Sequence, residues 1–186
     1  LASLDALVKQ HPDYVDAQYN RALVLLALGR FEEGWKAFQW RLKRSAVHVK
    51  HEDFPQAVWT GEDLSDKHVL AWTDLGLGEE ILVASLIPDL QGTARKVTLL
   101  CSERLVGLFR RAFPGVTVEK RAAPLPAAAL SKDVTLQMSL AELGAAFRKT
   151  FDAFPSRERF LMADESLRTR LRDRYLKGHS DNLLVG

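Results

Sequence analysis

The stretch Val69-Leu-Ala-Trp-Thr-Asp-Leu-Gly-Leu-Gly-Glu-Glu-Ile81 constrains the fold more than any other part of the chain. Its apolar run reads as a buried strand over Lys67 to Thr73, with Leu70 and Trp72 on one face and Val69 and Ala71 on the other. Apolar residues on both faces are the mark of a central parallel strand covered on two sides. The strand enters a Gly-x-Gly turn at Gly76 and Gly78, and the turn opens into a helix headed by Glu79 and Glu80. Strand, tight turn and helix N-terminus together form the usual ligand site of an α/β sheet.

The chain beyond this turn repeats the alternation. A helix is expected over Glu79 to Leu90, with Ile81, Leu82, Ala84, Ser85, Leu86 and Leu90 on a broad apolar side. Lys96 to Ser102 reads as a strand, Glu103 to Phe113 as a helix ended by Pro114-Gly115, and Val116 to Glu119 as a short strand. Ala122 to Leu130, rich in Ala and Pro, reads as a loop over a sheet edge. Asp133 to Met138 is a further strand, and Ser139 with Glu142 forms a capping box that starts another helix. Asp164 caps a last helix, Arg-rich and solvated, which stops at Gly178, and Leu183 to Val185 begins a new strand. Strands alternating with helices imply a parallel sheet with right-handed crossovers.

The first part of the chain is of another kind. Val15, Tyr19, Ala22, Leu23 and Leu26 recur at helical spacing, and Phe31, Gly34, Trp35, Phe38 and Leu42 make a second stripe. Gly29 between them suits the left-handed position that ends a helix. The small residues Ala22 and Gly34 let the two backbones approach. Residues 46 to 66 lose this periodicity and read as a linker anchored by Trp59. The chain thus divides into helices over 1–46, a linker over 47–66 and an α/β unit over 67–186.

Composition removes several classes. A formal net charge of +2 gives no reason to expect nucleic acid. No run approaches the ~18 apolar residues of a membrane span, and no signal peptide is visible, so a cytoplasmic location is expected. The single Cys101 excludes an internal disulfide and reads as a buried, inert thiol. His48, His51 and His68 lack a third ligand type nearby, so they read as surface histidines and no metal site is expected. The first residues lack an initiator Met and begin mid-helix, as expected of a piece of a longer protein.

The turn itself is neither a dinucleotide fingerprint, since Ile81 replaces the third glycine, nor a P-loop, since no Gly-Lys-Ser/Thr comes after it. Glu79 and Glu80 would repel a phosphate from the helix N-terminus. The turn is better suited to hold a carboxylate at the mouth of a cleft. The alternative is that both glutamates only complement the helix dipole, for about 0.3–1 kcal/mol each. Glu80 then serves as a control for Glu79, because on a helix it points about 100° away.

Two resemblances sharpen this. Pro12, Tyr19-Asn20, Ala22, Leu-Gly29-Arg-Phe31, Gly34 and Phe38 resemble the tetratricopeptide pattern, with Gly34 and Arg41 where Ala is usual. Asp74-Leu-Gly-Leu-Gly-Glu79-Glu-Ile is similar to the Glu-Gln-Gly-Leu-Gly-Asp-x-Ile segment of bacterial tetratricopeptide-glycosyltransferase proteins. These are relatives of O-linked N-acetylglucosamine transferase and, more distantly, of heptosyltransferases. Phe38-Gln-Trp40-Arg-Leu and Trp59-Thr-Gly-Glu-Asp-Leu-Ser-Asp-Lys67 resemble that family's connection between repeats and first lobe. The resemblance implies an α/β fold in which tetratricopeptide-like helices precede the first, Rossmann-like lobe of a GT-B glycosyltransferase. It implies that Glu79 is the general base, that Asp74, Gly76 and Gly78 form the acceptor-side turn, and that a second lobe would bind the nucleotide-sugar donor. No resident cofactor is implied. Tyr19, Asn20 and Leu23 would line a groove for a protein or peptide partner. On this reading the chain alone does not transfer sugar. The alternative function is a non-catalytic scaffold in which the repeats bind a partner and the Rossmann-like unit is structural.

Overall fold

In the computed structural model, residues 1–45, 49–156 and 159–176 are described. Three helices open the chain: α1 (Ala2–Gln10), α2 (Val15–Ala27) and α3 (Phe31–Phe38). The link between α2 and α3 is a Schellman turn. Gly29 takes φ +74° and donates to Leu26, while the next amide, of Arg30, donates to Leu25. Gly34 is small because a Cβ there would lie 2.7 Å from the Leu26 side chain. The buried face of α2 differs from the expected stripe. Ala17, Ala22 and Leu25 are buried, whereas Leu23 is 41% exposed. The reason is that α2 packs against α1 as well as α3, so its covered arc is wider and turned away from Leu23.

The rest is built on a five-stranded parallel sheet among the described residues, in the order β1-β5-β2-β3-β4. Its strands are β1 (Ala57–Val58), β2 (His68–Trp72), β3 (Lys96–Cys101), β4 (Thr117–Lys120) and β5 (Val134–Ser139). The last four match the expected strands to within a residue or two. β1 departs from expectation: the segment read as a linker supplies an edge strand, two residues long, beside β5. Such a short strand carries too little alternation to be seen in a sequence. β2 sits between β3 and β5, where the order of connection reverses. That is the switch point at which open α/β sheets leave a crevice beyond the strand ends.

The alternation in β2 works as expected. Val69 and Ala71 join the larger core, with Ile87, Leu90, Leu99 and Phe109. Leu70 and Trp72 face a smaller one with Phe54, Leu100, Ala129 and Val134. The helix after β2 is interrupted. α4 (Leu77–Val83) passes through a 3-10 turn at Ala84–Leu86 into α5 (Ile87–Thr93). Pro88, at the start of α5, cannot donate back to the preceding turn, which accounts for the break. Val83, Ala84, Leu86, Ile87 and Leu90 are buried, but Leu82 is 70% exposed and leaves the expected apolar side. α6 (Glu103–Ala112) comes after β3, and the Ser139–Glu142 capping box opens a short 3-10 turn and then α7 (Leu143–Phe147). α8 (Glu165–Tyr175) is capped by Asp164, and none of its residues is buried. The expected helix stop at Gly178 and strand at Leu183 lie outside the described residues.

The opening helices are docked on the α/β unit. Trp35 lies on Gly144 of α7, where a Cβ would come within 2.7 Å of its ring, and its Nε1 donates to the Arg148 carbonyl at 2.8 Å. Phe31 packs against Phe151 and Phe154, with ring centroids 4.8 and 5.0 Å away.

Candidate functional site

The C-terminal end of β2 carries three carboxylates, and the fold treats them differently. Asp74 comes directly after Thr73, and its side chain is buried. Arg41, from the 3-10 turn after α3, reaches across to it. Its Nε donates to Oδ2 at 2.8 Å and its Nη2 to Oδ1 at 3.3 Å. Nη2 also donates to Ser139 Oγ at 2.8 Å, and that hydroxyl donates to Asp74 in turn. Both ends of the ion pair are out of water, with 2% and 0% of the side chains exposed. The switch-point crevice between β2 and β5 is therefore occupied by a guanidinium of the helical segment, and Asp74 is held there.

Glu80 is the second. The sequence reading gives it the same dipole role as Glu79 and a direction away from the site, but it is fully buried. Thr73 Oγ1 donates to it at 2.7 Å, Ser102 N at 3.0 Å and Arg121 Nη1 at 3.2 Å. Arg121 Nη1 also donates to the Thr73 carbonyl. Glu80 thus ties together the ends of β2, β3 and β4. The helix starts two residues earlier than expected. The helix begins at Leu77, so Glu80 falls in the first turn on the inward side, where burial and a cationic partner await it.

Glu79 is the third carboxylate, and it is exposed. Among the described residues it has no hydrogen-bond or ion-pair partner. Its carboxylate folds back over Gly76, where a Cβ would lie 2.8 Å from Oε2. Because that atom is the tip of an exposed, flexible side chain, a Cβ at position 76 would only turn the carboxylate aside. The expected sharp glycine turn is absent: Gly76 has φ −70°, and Gly78 lies within α4. The described glycines at positive φ are Gly29, Gly61 and Gly115.

A second polar group lies beside the first. Glu142 Oε2 accepts from Ser139 N at 3.0 Å, and its Oε1 is 2.9 Å from His51 Nε2. His51 Nδ1 is 3.0 Å from Gln137 Oε1, which also accepts from Trp72 Nε1 at 2.6 Å. The hydrogen bond to Glu142 raises the pKa of His51 above the ordinary imidazole value, against the opposing cost of burial. His68, expected at the surface, is buried, 2.8 Å from both Asp133 Oδ2 and Thr98 Oγ1. His48 lies outside the described residues. Among the described residues no group of three or more His, Cys, Asp or Glu side chains could hold a metal ion. Cys101 is buried, and that burial, with Glu80 nearby, pushes its thiol up to about 12.

The partner residues separate. Tyr19 is half-buried, its ring 5.8 Å from that of Phe38 and 4.4 Å beneath the Arg44 guanidinium. Asn20 and Leu23 are exposed. Sequence reasoning missed Arg41 and Glu80. Arg41 had a visible signal: a cation on an otherwise apolar helical stripe requires a buried counter-charge. Glu80 had none, because its inward direction depends on where the helix starts.

No protein-family model matches the chain, and no solved structure matches it. The chain is similar to Protein FlbA of Caulobacter vibrioides (strain ATCC 19089 / CIP 103742 / CB 15). The two are 32% identical over 166 residues, which cover 82% of this chain and 28% of that protein. The chain therefore spans less than a third of the length of this curated relative. Among the described residues no helix is long and apolar enough to cross a membrane.

Proposed function

We propose that this chain supplies the acceptor-side lobe of a cytoplasmic glycosyltransferase of the GT-B type, with Glu79 as the general base. The observation that carries this is the division of labour among the three carboxylates at the end of β2. Asp74 is engaged by Arg41 and Ser139, and Glu80 by Arg121, Thr73 and Ser102. Glu79 is left exposed at the C-terminal edge of a parallel sheet, where α/β proteins place their chemistry. A carboxylate there can take the proton of an acceptor hydroxyl as that oxygen attacks the anomeric carbon of a nucleotide sugar, whose bond to the phosphate oxygen breaks and releases the nucleotide. It must come within hydrogen-bond reach of the hydroxyl to do so. Arg41 and Arg121 hold the neighbouring carboxylates in place and so fix the backbone that carries Glu79. The donor would be bound by a second lobe.

The opening helices, read as tetratricopeptide-like, would bring in a protein acceptor or partner through the face bearing Asn20 and Leu23. The close packing of Trp35 on Gly144 supports a fixed geometry between that face and the turn. The test is a transfer assay on the protein that carries this chain, using labelled nucleotide sugars and cell extract as acceptor source, read by mass spectrometry. Sugar added to a protein or glycan supports the reading. Absence of transfer from every donor supports the scaffold alternative.

A further inference from the structure

Beside the Asp74–Ser139 pair runs an open groove of about 560 Å³. It is lined by Gln39, from the turn after α3, by Trp59-Thr60-Gly61, just beyond β1, and by Glu142, Ala145, Ala146 and Lys149 in and around α7. The size falls within the ~300–1,000 Å³ of small-molecule sites. The groove is continuous with the turn through one residue: Ser139 donates its hydroxyl to Asp74 and its amide to Glu142.

The lining identifies the kind of ligand. Trp59 is half-buried, and its Nε1 is fixed to the Glu62 carbonyl at 2.9 Å, so the ring is held in one place. Gly61, at φ +114°, shapes the bend that presents it. The same groove is lined by a carboxylate, an amide and an ammonium group, those of Glu142, Gln39 and Lys149. Glu142 is already oriented by His51 and Ser139, yet each carboxylate oxygen keeps a second lone pair. Gln39 and Lys149 offer N–H donors. A hydroxyl both donates and accepts, so a ring bearing several of them is matched by this mixture.

We infer that this groove is a saccharide-binding site for a neutral sugar, stacked on Trp59 and hydrogen-bonded by Glu142, Gln39 and Lys149. The site goes beyond the transferase reading and needs no donor, so its failure would leave that reading standing.

The test uses the 186-residue chain without any nucleotide sugar. The indole N–H resonances of its four tryptophans are monitored by NMR while lactose, maltose and chitobiose are titrated separately into the millimolar range. The Trp59 resonance is assigned with Trp59→Phe. The expected result is a saturable shift of the Trp59 signal by at least one disaccharide. Calorimetry should then show binding weakened about tenfold or more by Trp59→Ala and by the groove-filling Ala145→Leu. Ala145 is only half-buried, so the second variant should fold even if the first does not. The proposal is overturned if none of the three sugars shifts Trp59, if binding survives Ala145→Leu, or if only a neutral Gly-Ser peptide shifts the signal.

Discussion

Replacing Arg41 with Met tests whether the helical segment holds the strand end electrostatically. Met fills most of the volume of the Arg stem and removes every N–H donor. Asp74, fully buried, would keep only the Ser139 hydroxyl as a partner. Removing one member of a buried pair costs about 3–5 kcal/mol, because the other charge is left without compensation. For a chain of this length each kcal/mol moves the melting temperature by about 2–4 °C, so a fall of roughly 6–20 °C is expected. The assay is urea and thermal unfolding of four proteins: wild type, Arg41→Met, Asp74→Asn and the double variant. Asp74→Asn in the Met background removes the orphaned charge, and the double variant should recover at least about 1–2 kcal/mol of the loss. An Arg41→Met loss below about 1 kcal/mol, or a double variant no more stable than Arg41→Met, would refute the argument.

The same geometry leads to three further expected outcomes. Glu80→Gln should lower stability by about 2–3 kcal/mol, since it weakens charged hydrogen bonds from Arg121 and Ser102, while Glu79→Gln should change it by less than about 1 kcal/mol; unfolding curves separate the two. His51 has a folded-state pKa raised above its unfolded value, so its contribution is fully present below about pH 6.5 and is lost as pH rises through the folded value. A series of unfolding curves across that window should show a decline that His51→Gln flattens, and identical slopes would contradict it. Cys101, with its thiol pushed up to about 12, should react with a maleimide only as fast as the chain opens, and labelling should accelerate sharply at the urea midpoint.

Much of the fold was legible because it rests on periodicity. The two-sided burial of β2, the glycine at the end of α2, the Ser139–Glu142 capping box and the Asp164 cap are local patterns with local causes. The misses are long-range. β1 is too short to show alternation, and its place in the sheet is fixed by β5, far along the chain. His68 reads as a surface residue until Thr98 and Asp133 are brought to it by β3 and β5. The candidate site shows the same division. That carboxylates gather after the central strand is visible in the residues. Which of them is free is decided by Arg41 and Arg121, 33 residues before Asp74 and 41 after Glu80.

The most direct test of the account compares Glu79→Gln with the unaltered protein in sugar transfer, using the full-length protein and saturating nucleotide sugar. The substitution keeps the size of the side chain and removes the base. The turnover rate should fall roughly 10²–10⁴-fold, the usual contribution of a general base, with a melting temperature within a degree or two of the original. Turnover unchanged within a few-fold would contradict the account and leave Glu79 as a helix-start residue.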